Sequence, residues 1–209
     1  MFRWSEPNTA QIRDDIQRNV GCAFSYPEVG LTHTSRRVRG YNTDRRRIRL
    51  GDGEETYAIA RKALSDWRQF TLDWVRLCWP YKRIQPGTTA GVLCHHYLVW
   101  SLNVVRIVYL VDETTPAYKR FGFAYGTLPQ HVCRGEERFQ VEMREDGSVW
   151  FEIVAFSRPA HWAAWLFYPY ARYAQKKFSK QAARAFLDAV QAGERPRQSQ
   201  PLSPSSLAS

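Results

Sequence analysis

The sequence predicts an α+β fold in which a long, curved antiparallel β-sheet is closed on its concave side by one C-terminal helix. Three observations predict it. Between Trp74 and Phe156 the apolar residues follow the short runs and two-residue alternation of strands. A helix-period stretch precedes this region, and a far longer one follows it from about Ala160 to Val190. Hydrophobic residues make up 44% of the chain and aromatics 14%, enough for a sizeable core.

Taken in order, residues 1–23 read as a polar N-terminal extension with a short helix around Thr9 to Arg18. Residues 24–192 form a single domain, and 193–209 are a Pro/Ser-rich tail expected to be disordered. The first strand of the domain runs from Tyr41 to Leu50. Alternation puts Arg45, Arg47 and Arg49 on one face and Arg46, Ile48 and Leu50 on the other, the pattern of a solvated edge or of an anion-binding face. Asp52 and Glu55 are spaced as a capping box. Tyr57, Ala60, Ala63, Leu64, Trp67 and Phe70 then predict an amphipathic helix of about eighteen residues.

About six strands follow. Phe121, Phe123 and Tyr125 alternate with Gly122, Ala124 and Gly126, so one face of that strand is aromatic and the other nearly bare. The last two strands pair through a three-residue Glu145-Asp146-Gly147 loop with Gly147 left-handed. That register sets Met143 opposite Val149, Val141 opposite Phe151 and Phe139 opposite Ile153, all on one surface, and Glu137 opposite Ala155. In the terminal helix, Pro169 should kink or interrupt the chain. Ala171, Ala174, Phe178, Ala182, Ala185 and Ala189 form its narrow apolar seam, beside a basic stripe of Arg172, Lys176, Lys180 and Arg184.

The net charge of +10 permits contact with an anionic membrane surface. Nucleic acid is disfavoured, because no helix-turn-helix, zinc-finger or RNA-recognition signature accompanies the arginines. The four cysteines are scattered with no CxxC pair, as expected of reduced thiols in a cytoplasmic protein. Ile84 to Val105 carries no charged side chain, yet its Pro, Gly, His and Asn residues favour sheet strands over a membrane span. Metal-ligand spacing is absent, and no cofactor motif is present.

Chemistry-bearing residues concentrate in GFAYGTLPQHVCRGEERF, residues 122–139. His131 could serve Cys133 as a base, and Arg134 could lower that thiol's pKa. Glu137 falls on the inner face and needs a partner, for which Arg134 or Arg158 are the candidates. The expected site is a braced loop at the mouth of an aromatic-lined cavity. Phe123, Tyr125, Phe139, Phe151 and Trp165 are its lining, and His131, Arg134 and Glu137 its polar contacts. The partner expected is a hydrophobic small molecule or lipid. The alternatives are an enzyme using His131 or Glu137 as acid/base, and a peripheral protein on an anionic membrane.

The blocks YPEVG, FAYGTLPQH, RGEERF and VWFEIVAFSRPA resemble those of a bacterial and plant family described as a domain of unknown function. The resemblance runs from Phe24 to Val190, and the family is similar in turn to the START-like, or SRPBCC, superfamily. It implies a helix-grip fold that commonly holds an apolar ligand between helix and sheet. It also makes His131, Arg134, Glu136, Glu137, Ser157 and Arg158 characteristic positions, without assigning them a role.

Overall fold

The computed structural model describes residues 2–34, 37–78, 83–160 and 168–194. Eight strands form one antiparallel sheet: β1 (Phe2–Arg3), β2 (Asn42–Asp52), β3 (Val75–Cys78), β4 (Thr89–His96), β5 (Val99–Thr114), β6 (Tyr118–Thr127), β7 (Cys133–Arg144) and β8 (Ser148–Pro159). Their order is β2-β8-β7-β6-β5-β4-β3, with β1 pairing alongside β5. The helices are α1 (Thr9–Asn19), α2 (Gly53–Ser65) and α3 (Tyr168–Glu194). The run Ile84 to Val105 is mostly strand, and among the described residues no helix is long and apolar enough to cross a membrane.

The β7–β8 register is the one expected. Met143 faces Val149, Val141 faces Phe151, Phe139 faces Ile153 and Glu137 faces Ala155. Gly147 turns the hairpin at φ 79°, which only glycine adopts without strain.

Helices α2 and α3 cover the concave face over one core of α2, sheet and α3 side chains. On the convex face α1 sets Ile12 and Ile16 against Leu93, Leu102 and Val104. Residues 1–23, read above as an extension, thus supply a strand to the sheet and a helix to its outer face.

Three expected details differ. Asp52 is the N-cap of α2 but its side chain makes no capping bond, because it is held instead by Arg49 Nη2 at 2.6 Å. The helix ends at Ser65, since Trp67 turns left-handed (φ 57°) and a short 3-10 turn, Arg68–Phe70, follows. Its predicted stripe is nevertheless buried throughout. On α3 the buried stripe is Ala182, Ala183, Phe186 and Val190, with Phe178 packed beside it. It lies one position on from the alanine seam, because the larger side chains take the core. Arg172 also leaves the basic stripe to pair with Asp44. Pro169 lies in the first turn of α3, where a missing N–H disrupts little. Residues 161–167 and 195–209 lie outside those described.

The loop before β2 is fixed to the convex face by one carboxylate. Glu136 accepts from the Tyr26 hydroxyl at 2.8 Å, Gly30 N–H at 2.7 Å, Thr32 N–H at 3.0 Å and the Thr32 hydroxyl. Glycine makes the approach possible: a Cβ on Gly126 would stand 2.2 Å from the Tyr26 hydroxyl. Gly135 is equally constrained, at φ 152° with the Phe156 carbonyl 1.9 Å from where a Cβ would be. Replacing Glu136 by Ala strands three donors, the Tyr26 hydroxyl and two backbone N–H groups, and leaves the Thr32 hydroxyl only Tyr109. We expect a loss of about 3 kcal/mol or more in urea denaturation. A loss under about 0.5 kcal/mol would remove the brace assignment.

Candidate functional site

Strand alternation sends Cys133, Glu137, Phe139 and Val141 of β7 to the concave side, with Phe151, Ile153, Ala155 and Ser157 of β8. Glu136, Arg138, Gln140 and Glu142 face outward. The concave surface then divides into two halves along these strands.

The deep half is closed. Phe151 stacks on Phe186 with ring centroids 4.0 Å apart, and Trp67 meets Phe123 at 4.6 Å. Phe70, driven inward by the 3-10 turn after α2, contacts Phe139 at 5.7 Å and Tyr125 at 6.3 Å. Phe123, Phe139 and Phe151, expected as cavity lining, are buried core rings in contact with one another.

The other half is open. Glu137 and Ala155 face each other across β7 and β8, with Cys133 and Ser157 farther out. Both strands lie in the sheet interior and point these side chains inward, yet all four keep partial exposure. The Tyr125 hydroxyl donates to Glu137 Oε2. Burial pushes the Glu137 carboxyl up to about 7; the Tyr125 hydrogen bond works against this and the nearby Asp44 charge adds to it. The same burial, with Glu137 beside it, raises Tyr125 well above its ordinary value.

Helix α3 supplies the opposite wall. Gln175 Nε2 donates to Ser157 Oγ at 2.8 Å and lies 3.6 Å from Cys133 Sγ. Arg172 grips both Asp44 oxygens, at 2.6 and 2.8 Å. Across the opening, the Tyr170 hydroxyl meets His96 Nδ1 at 3.0 Å, and His96 stands 5.4 Å from the Trp74 ring. Burial lowers the His96 pKa. Gln175 and Asp44 escaped the sequence reading, and Arg172 was read only as part of the basic stripe, because their relation to Glu137 arises only when α3 crosses the sheet.

The remaining expected residues sort by face. Arg134 and Arg158 sit opposite each other on the outward positions of β7 and β8, and Arg158 lies 4.5 Å over the Tyr41 ring. Neither can reach Glu137, whose partner is Tyr125. Arg134 likewise cannot activate Cys133, whose thiol burial pushes up to about 11. His131 accepts the Cys133 backbone N–H on Nδ1 at 3.0 Å, and burial holds its pKa down at about 4. Glu136 is the brace described above. Trp165 lies outside the described residues. Among the described residues no three His, Cys, Asp or Glu side chains gather as a metal site.

A curved antiparallel sheet gripping a terminal helix, sealed by aromatic rings at one end and polar and open at the other, defines a helix-grip protein. The chain belongs to the family described as Domain of unknown function (DUF1990), whose model matches residues 25–185. It is 35% identical over 203 residues to the UPF0548 protein of Arabidopsis thaliana, covering 90% of this chain and 97% of that one. Among solved structures it is similar to Ara h 8.0201, with a TM-score of 0.48, 12% identity and coverage of 73% of this chain and 99% of that one. It is also similar to human STARD10, with a TM-score of 0.43, 10% identity and coverage of 88% and 81%.

Glu137 and His131 give opposite pH slopes, and His96, whose pKa is also lowered, slopes with His131. Glu137 holds its proton more tightly folded than unfolded, so its contribution to stability falls as pH rises from about 4.5 to about 7. His131 holds its proton less tightly folded, so its contribution rises with pH between about 4 and 6.5. Glu137→Gln should therefore leave stability climbing more steeply through pH 5–6.5 than the native chain, and His131→Asn, with only His96 left to oppose Glu137, should climb less steeply or fall. Urea midpoints measured across that range decide the matter, and parallel profiles for both variants would contradict the burial assigned to these groups.

Proposed function

We propose that the protein binds a hydrophobic small molecule or lipid in the open half of the concave face, beneath the first turns of α3. The observation that supports this most strongly is the partial exposure of Glu137, Ala155 and Ser157, inward-pointing side chains on interior strands. The ring stack of Phe70, Tyr125 and Phe178 supplies an apolar floor, and the Glu137–Tyr125 pair supplies a polar anchor. A carboxyl with a pKa of about 7 can donate or accept, so a hydroxyl, carbonyl or amine head group would be held by it.

A second reading rests on the same carboxyl. A group titrating near neutrality in a partly dry site is suited to general acid/base work, so Glu137 could act on a bound ligand. His131 is the weaker of the two expected acid/base groups, with its pKa held at about 4 and Nδ1 engaged by a backbone N–H.

Ala155→Trp would fill the open half from the β8 side, opposite Glu137. Titration of a neutral naphthylamine dye should give saturable fluorescence with the native chain, and at least about tenfold weaker binding with the variant. Native mass spectrometry followed by organic extraction should show a ligand on the native chain and its loss in Ala155→Trp. Equal dye binding by both proteins would refute the proposed location.

A further inference from the structure

We propose that the convex face of the sheet carries a second binding site, one for a phosphate-bearing small molecule, built from arginines that one buried and one half-buried carboxylate hold in place. The site is a groove of about 430 Å³ on the side of the sheet opposite α3, within the size range of small-molecule pockets. Its concavity comes from β6. There Gly122 lies in register between Gln140 of β7 and Val111 of β5, so no side chain rises from the middle row. The position has to be glycine, because a Cβ would stand 2.5 Å from the Phe139 carbonyl. Arginines from β2, β6 and β7 rise around this floor.

Their arrangement is not that of a solvated ladder, in which opposite charges alternate one to one. Five arginines line the groove against three glutamates. Glu142, 13% exposed, meets Arg47 at 2.9 Å, Arg120 at 2.7 Å and Arg144 at 3.1 Å. Glu152, 9% exposed, meets Arg45 and Arg138 at 2.6 Å each. The third carboxylate, Glu113, comes no closer than 4.0 Å to Arg120. Two carboxylates at the floor thus orient five guanidiniums, and the more exposed of them, Arg45, Arg120 and Arg144, carry more N–H donors than these contacts use.

Aromatic rings fix the planes. Arg120 lies 3.7 Å over Tyr118, and Arg47 lies 4.8 Å over Trp150. A guanidinium stacked on one side and hydrogen-bonded along one edge keeps its other edge for a ligand. Arg47 Nε is buried and has no hydrogen-bond partner among the described residues. Positive charge in excess, fixed planar donors and a concave floor suit bidentate recognition of phosphoryl oxygens. This site shares no residue with the open concave half, so the two proposals stand or fall separately.

The test is isothermal titration calorimetry of the full chain at low ionic strength, with pyrophosphate and inorganic phosphate as probes and acetate as control. We expect saturable binding of pyrophosphate with a Kd below about 1 mM, weaker binding of phosphate, and none resolved for acetate. Arg45 and Arg144 are 57% and 46% exposed, so Arg45→Glu and Arg144→Glu should fold. Each should weaken pyrophosphate binding at least about tenfold. Arg144→Lys, which keeps the charge but loses the planar fork, should fall between and decides the question if the glutamate variants do not fold. Lys180→Glu on α3, outside the groove, should bind as the native chain does. Binding weakened equally by Lys180→Glu would mean general attraction to a chain of charge +10 and would overturn the site. No saturable heat up to about 10 mM pyrophosphate would overturn it too.

Discussion

Glu136 accepts hydrogen bonds from Tyr26, Gly30 and Thr32 at once, and so ties strand β7 to a segment more than a hundred positions earlier in the chain. Much of the outer architecture depends on that carboxylate. It draws the YPEVG segment against the bare face of β6, where Gly126 leaves room for Tyr26, and the loop continues to Tyr41 at the start of β2. Its neighbour Glu137 points through the sheet to the other side. Two adjacent carboxylates on an extended chain must diverge, and here the divergence gives one a structural task and the other the open half of the concave face.

Much of this was legible from residue order. The β7–β8 register followed from the two-residue period and from a glycine able to adopt positive φ, and both are local properties. The same period already excluded Arg134 and Arg158 as partners of Glu137, because each occupies an outward position of its strand. Ranking charge complementarity above alternation produced that error. Asp52 and Glu55 matched a capping box by spacing alone, but Arg49, three positions upstream on the strand, competes for the same carboxylate and wins.

The aromatic residues show where sequence stops. Phe123, Phe139 and Phe151 lie on the predicted inner face, yet facing inward does not separate a packed ring from a ring that lines a cavity. The difference is made by Trp67, whose left-handed backbone ends α2 early and aims Phe70 into the sheet. No feature of the sequence around Trp67 announces that turn, since neither glycine nor asparagine marks it. The contacts of Gln175 and Arg172 were invisible for another reason: they depend on how α3 crosses the sheet.

The unequal anchoring of α3 has a mechanical consequence. Its second half is buried through Ala182, Ala183, Phe186 and Val190, and lifting it would expose core. Its first half is held by polar contacts, Arg172 to Asp44 and Gln175 to Ser157, which water can replace at modest cost. The helix is thus held in two different ways: from about Phe178 onward by apolar burial, and before it by polar contacts that separate at lower cost.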